Sequence, residues 1–146
     1  RISCFGAGRF RRFCENLHVG VSFECGGGAM KAVLLISHGS RSSETKREIS
    51  QLVDRLRSAG GADIIEFAFL ELETPSIPQG IDMCVEKGAT RVIVLLNFLN
   101  SGRHVNVDIP AIVEESKKKY PDISISITMP VGQHPGIDAL FLDIIK

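Results

Sequence analysis

The sequence predicts a three-layer α/β domain: a four-stranded parallel sheet, strand order 2-1-3-4, with helices on both faces. Three observations predict it. Four short apolar runs alternate with four segments of helical period between residues 30 and 146. A strand–helix alternation of this kind builds a parallel sheet covered by helices. Right-handed crossovers then favour the order 2-1-3-4.

Each element has its own signal. Lys31–Ser37 (KAVLLIS) is a continuous apolar run, as in a strand buried on both faces. Ser42 to Ala59 reads as a helix, with Ile49, Leu52, Val53 and Leu56 on one face and Gly60-Gly61 ending it. Asp63–Leu70 is the second strand. Thr74-Pro75 offers an N-cap and a proline at the first helical position, for a helix running to Lys87 and stopping at Gly88. Arg91–Phe98 (RVIVLLNF) is the third strand, and the loop Leu99–His104 follows it. A helix from Asn106 to Lys119 ends on Lys117, Lys118 and Lys119, which suit its negative C-terminus. Ile123–Met129 is the fourth strand, and Pro135 to Ile145 a last amphipathic helix.

Residues 1–29 stand apart. They hold Cys4, Cys14 and Cys25 and the basic cluster Arg9, Arg11 and Arg12, with apolar residues at neither period. The stretch lacks the apolar core of a secretory signal. Its cysteine spacings are not those of a zinc site. Gly26-Gly27-Gly28-Ala29-Met30 suggests instead upstream DNA read in frame, because adjacent glycine codons can spell a bacterial ribosome-binding sequence just before a Met codon. The expectation is a non-domain extension over 1–29 and one functional module over 30–146.

Composition narrows the function. The chain of 146 residues is 44% hydrophobic and 23% charged, which excludes disorder throughout. Its formal net charge is zero, so no global field favours nucleic acid or an anionic membrane. No apolar run is long enough to span a bilayer. Residues 30–146 carry 13 Lys and Arg against 15 Asp and Glu, a net charge of −2. Their only cysteine is Cys84, in a helical pattern, which points to a reduced structural thiol and a cytoplasmic protein.

In such a sheet ligands bind beyond the carboxyl ends of the strands, where the winding reverses. Here that point lies between strands 1 and 3. His38 directly follows strand 1, and His104 closes the loop after strand 3. Adjacent strands are about 4.8 Å apart, so both imidazoles can reach one cavity. Two imidazoles suit cobalt, nickel, iron or zinc and leave coordination positions open. Arg41 and Arg103 lie beside them in sequence; they are either solvated surface groups or binders of carboxylate or phosphate. Glu71, ending strand 2, should reach the same rim as a proton acceptor or metal ligand. Glu73 is expected to be exposed. His134, after strand 4, either orients its turn or touches the ligand. Phe67 and Phe69 read as core residues.

These residues, in this order, resemble the short-form sirohydrochlorin chelatases, the class II chelatases. The resemblance rests on His38-Gly39-Ser40-Arg41, Phe69-Leu70-Glu71, Pro75-Ser76-Ile77-Pro78, Asn97-Phe98-Leu99, Gly102-Arg103-His104, Asp108-Ile109-Pro110, and Gly132 with His134-Pro135. It spans Met30 to the C-terminus. Such membership implies insertion of a divalent metal into sirohydrochlorin, a macrocycle bearing carboxylates all round its edge. Cobalt is the expected metal, leading toward cobalamin; iron leads to sirohaem, and nickel is a third option. His38 and His104 would be the metal pair and Glu71 a third catalytic group. Arg41, Thr74, Leu99, Asn100, Ser101, Gly102, Arg103 and His134 would face the substrate. Thr74 stands where some members carry an acid. No prosthetic group or nucleotide is implied. Larger relatives build a cleft from two such modules, so a homodimer is implied. Two other readings compete: a non-enzymatic metal carrier or sensor, and phosphoryl transfer through a nucleophilic His38. Histidine phosphatases place Arg before His-Gly, whereas Ser37 stands here.

Overall fold

The computed structural model describes residues 28–146. The expectations set on the N-terminal segment up to residue 27 lie outside the described residues. The elements follow in order: β1 (Lys31–Ser37), α1 (Ser43–Ala59), β2 (Ile64–Phe69), α2 (Ile77–Glu86), β3 (Arg91–Leu96), a π-helical turn (His104–Asp108), α3 (Ile109–Lys119), β4 (Ser124–Pro130), a 3-10 turn (Val131–Gln133) and α4 (Ile137–Ile144). The sheet is parallel, in the order β2-β1-β3-β4, as the sequence predicts.

Alternation along β1 divides the core. Ala32, Leu34 and Ile36 face α2 and α3, where they meet Ile77, Ile81, Cys84, Ile109 and Val113. Leu35 faces α1 and packs with Ile49, Val53, Ile65 and Phe69. Phe69 is fully buried against Phe67, so this pair is core, as expected. At the free edge of β2, Arg57 donates through Nε and Nη2 to the Ile65 carbonyl at 2.9 and 2.6 Å. The buried Glu66 carboxylate pairs with Arg57 at 3.3 Å and with Lys87. These cations cover a strand edge that would otherwise offer backbone to another chain.

Three boundaries near the site, and the burial of the last helix, differ from the sequence reading. Helix α2 starts at Ile77, not at Thr74-Pro75. The Pro75 carbonyl accepts the Phe69 N–H at 2.8 Å, which keeps Pro75 and Ser76 extended beside β2. Ser76 therefore caps the helix, and Gln79 Oε1 accepts its N–H at 2.9 Å. Strand β3 ends at Leu96, where Asn97 turns its amide onto Ser37 Oγ at 3.0 Å. Helical structure after β3 begins at His104, two residues earlier than expected. A π turn carries it, closed by the Ile109 N–H on the His104 carbonyl. Pro110 accounts for that turn: it has no N–H for the Asn106 carbonyl, and its ring crowds that oxygen. Finally, α4 buries none of its residues, leaving Leu140, Phe141, Leu142, Ile144 and Ile145 exposed.

The lysine run is largely exposed, and each lysine has an acidic partner. Lys117 and Lys118 pair with Glu114 and Glu115 one turn back, but Lys119 crosses to Asp82 of α2 at 2.8 Å. That bond, and the Tyr120 hydroxyl at 2.8 Å, hold the Asp82 carboxyl below its usual range. Among the described residues no helix is long and apolar enough to cross a membrane.

Cys84 is a free, buried thiol, as expected. Burial, and then the Glu66 charge, push it up to about 12 from an ordinary 9.0. The unfolded thiol ionises near the lower value while the folded one stays protonated. Stability should therefore fall as the pH rises from about 9 to about 12. Urea midpoints across this range are expected to fall less steeply in Cys84→Ala than in the parent. An identical slope in both would contradict the assignment.

Candidate metal centre

Three strand ends supply the site. His38 follows β1, Glu71 lies just beyond β2, and His104 opens the π turn after β3. One ligand atom from each lies within 4.8 Å of the other two. The imidazoles of His38 and His104 meet edge to face, with ring centroids 5.0 Å apart. His104 Nε2 stands 3.8 Å from Glu71 Oε1. That is too long for a hydrogen bond. It suits two donors on one ion, which at bond lengths of about 2.0–2.2 Å sit roughly 3–4 Å apart. Three protein donors on an exposed rim leave positions for water or a substrate nitrogen, as in zinc sites that do chemistry rather than structural ones.

Backbone geometry holds two of the three donors. The β1–β2 pairing continues past both strands: Leu70 N–H donates to the Ser37 carbonyl at 2.9 Å, and Glu71 N–H to the His38 carbonyl at 3.0 Å. Gly39 permits this approach. Its φ is +99°, and a Cβ there would lie 1.9 Å from the Glu71 carbonyl oxygen. The pairing then ends in a tight γ-turn, where Glu73 N–H donates to the Glu71 carbonyl at 2.8 Å and Leu72 takes φ +64°. A leucine in this region is strained, and strain of this kind gathers at functional sites.

His104 is held differently. Its Nδ1 lies 2.8 Å from Asp108 Oδ2, one turn along the same helical segment. Arg103 Nε stands 3.7 Å from the other carboxylate oxygen. In the sequence Asp108 stands out only as part of Asp108-Ile109-Pro110. Its link to His104 follows the i, i+4 rule and becomes readable once the helix is started at His104.

The remaining sequence candidates scatter more widely. Arg41 and Arg103 are exposed, three residues after His38 and one before His104 in the chain. Ser101 and Gly102 are exposed in the loop, and Gln133 Nε2 donates to Ser101 Oγ. Leu99 and Asn100 line a small cavity of about 190 Å³ with Gly132, Ile137 and Phe141 of the C-terminal segment. Gly132 fits under this loop because it lacks a side chain; a Cβ there would meet the Leu99 carbonyl oxygen at 1.9 Å. Thr74 lines a different cavity of about 520 Å³, at the β2 edge, with Lys46, Gln79, Asp82, Met83 and others. His134 accepts the Gly136 N–H on Nδ1 at 3.0 Å, so it orients its own turn. Glu73, expected to be exposed, is half-buried, and its Oε2 is buried without a partner. The γ-turn at Leu72 carries it inward.

Gly39→Ala should push the Glu71 backbone off His38 and cost about 1–3 kcal/mol of stability. Divalent-metal affinity should fall with it, while Gly61→Ala, where a Cβ meets nothing, should leave that affinity unchanged. Thermal melts and metal titrations check this; an unperturbed Gly39→Ala protein would contradict the close approach.

The chain is 36% identical over 119 residues to the chloroplastic sirohydrochlorin ferrochelatase of Arabidopsis thaliana, covering 82% of this chain and 51% of that one. It is 39% identical over 110 residues to the sirohydrochlorin cobaltochelatase of Priestia megaterium, covering 75% of this chain and 35% of that one. The chain thus spans about half of the first relative's length and about a third of the second's. Among solved structures, it resembles the sirohydrochlorin chelatase SirB of Bacillus subtilis subspecies spizizenii in complex with cobalt. The TM-score is 0.71 at 30% identity, covering 80% of this chain and 50% of that chain. The CbiX family model matches residues 32–146, and the chain belongs to the CbiX family.

Proposed function

We propose that residues 30–146 form a module that inserts a divalent metal into sirohydrochlorin, with cobalt as its metal and iron or nickel as the alternatives. The observation that carries this reading is the open cluster of His38, Glu71 and His104. Relatives named as ferrochelatase and cobaltochelatase support the substrate. They support iron and cobalt equally, and two imidazoles with a carboxylate accept both.

The metal is the cargo here. His38, Glu71 and His104 replace part of its water shell and hold it at the rim. The substrate's carboxylates are drawn by Arg41 and Arg103 and by the N-terminal end of the helical segment at His104. The loop Leu99–Arg103, Thr74 and His134 are the further substrate contacts in this reading. As the metal leaves for the ring, two pyrrole N–H protons must depart, and the metal takes their place on the nitrogens. Glu71 or a histidine freed of the metal accepts one of them in this reading, and the other passes to the second of these groups or to water. No prosthetic group is required.

A homodimer is part of the proposal. The exposed apolar face of α4 is the surface a second copy would cover, and Phe141 of that helix lines the cavity under Leu99 and Asn100. The setting is the cytoplasm, where the Cys84 thiol stays reduced.

The test uses the full chain with sirohydrochlorin and cobalt, iron or nickel, followed by absorption. Metal insertion is expected above the uncatalysed rate. His38→Ala and His104→Ala should fall to that rate, and Glu71→Gln by on the order of 10²–10⁴-fold. Sedimentation of the same protein should show a dimer. No acceleration with any metal overturns the proposal, and tight metal retention without turnover favours a carrier instead.

A further inference from the structure

We infer that Asp108 is a positioning residue, which fixes the proton of His104 on Nδ1 and so presents Nε2 as the metal-binding nitrogen. The inference deepens the metal-insertion reading and rests on it. An ionised carboxylate only accepts hydrogen bonds. With Asp108 Oδ2 at 2.8 Å, the His104 Nδ1 must be the donor. A neutral imidazole then carries its lone pair on Nε2, the nitrogen facing Glu71 Oε1 at 3.8 Å. The carboxylate is itself held, because its second oxygen faces Arg103 Nε at 3.7 Å and the residue is only partly exposed. Both partners lie in one helical segment, as the first and last residues of the π turn, so a change in loop Leu99–Arg103 does not separate them.

This arrangement does two things a lone histidine cannot. It fixes the ring plane, so that Nε2 points into the cluster before any metal arrives. It also makes the imidazole more basic toward the metal, because the carboxylate strengthens the Nδ1–H dipole. Among the described residues, His38 has no side-chain hydrogen bond; its ring packs near Phe98 and His104. The pair therefore holds one oriented ligand and one freer to turn.

The first readout needs no metal. Nitrogen-15 NMR of the full chain near pH 8, above the ordinary imidazole value of about 6.5, reports which ring nitrogen carries the proton. His104→Ala identifies the resonance. The wild-type ring is expected in the Nδ1–H form. Asp108→Ala should return it toward the Nε2–H form that free imidazole favours. Asp108→Asn keeps an accepting oxygen and should keep Nδ1–H. The second readout is cobalt affinity by titration. A loss of about 10–100-fold is expected in Asp108→Ala, with partial rescue in Asp108→Asn. A wild-type His104 in the Nε2–H form, or no change of tautomer in Asp108→Ala, overturns the inference. So does a changed tautomer with cobalt affinity lost only in His104→Ala. Cobalt affinity unaffected even by His104→Ala overturns the metal reading instead, because the metal then binds elsewhere.

Discussion

The bond from the Glu71 N–H to the His38 carbonyl, 3.0 Å long, is the contact on which the metal centre depends. It extends the β1–β2 ladder past the ends of both strands and brings two chemically active residues side by side. Glycine at position 39 is what allows it, because any Cβ there would collide with the Glu71 carbonyl. The third donor arrives from β3, the other neighbour of β1, through Asn97 bonded to both the Ile36 carbonyl and Ser37 Oγ. A central strand flanked by two parallel neighbours thus turns a topological rule into a three-donor cluster.

The fold was legible in the sequence because burial in a parallel sheet leaves a plain mark. Strands such as KAVLLIS are covered on both faces and tolerate few polar residues. The convergence of His38, Glu71 and His104 was legible too, since it follows from strand order rather than from spacing. What stayed hidden depends on hydrogen bonds that no periodicity records. Thr74-Pro75 looks like a helix start, yet Phe69 claims the Pro75 carbonyl and delays the helix to Ile77. The helix at His104 begins early through a π turn, in keeping with the missing N–H of Pro110. Glu73 turns inward because Leu72 adopts a conformation that leucine seldom takes.

The same reasoning separates the substrate candidates. Arg41, Arg103 and the loop before His104 are exposed and lie within a few residues of a cluster histidine along the chain. Thr74 lines a groove at the sheet edge and His134 bonds within its own turn, so both stay in the proposal as substrate contacts only, outside the donor set. Asp108 moves the other way, from a motif residue to the group that orients a ligand. Capture of a metal by few donors on an exposed rim fits a cargo that must be given up. A closed ring of four protein ligands would hold it for good.

The most direct test of this account is X-ray absorption on the cobalt-loaded protein. It should show two imidazole rings, a carboxylate oxygen and further light-atom donors from water around the ion. The imidazole count should drop from two to one in His38→Ala and in His104→Ala alike. A shell without imidazole, or one already filled by protein donors, would contradict a site built to receive a metal and release it.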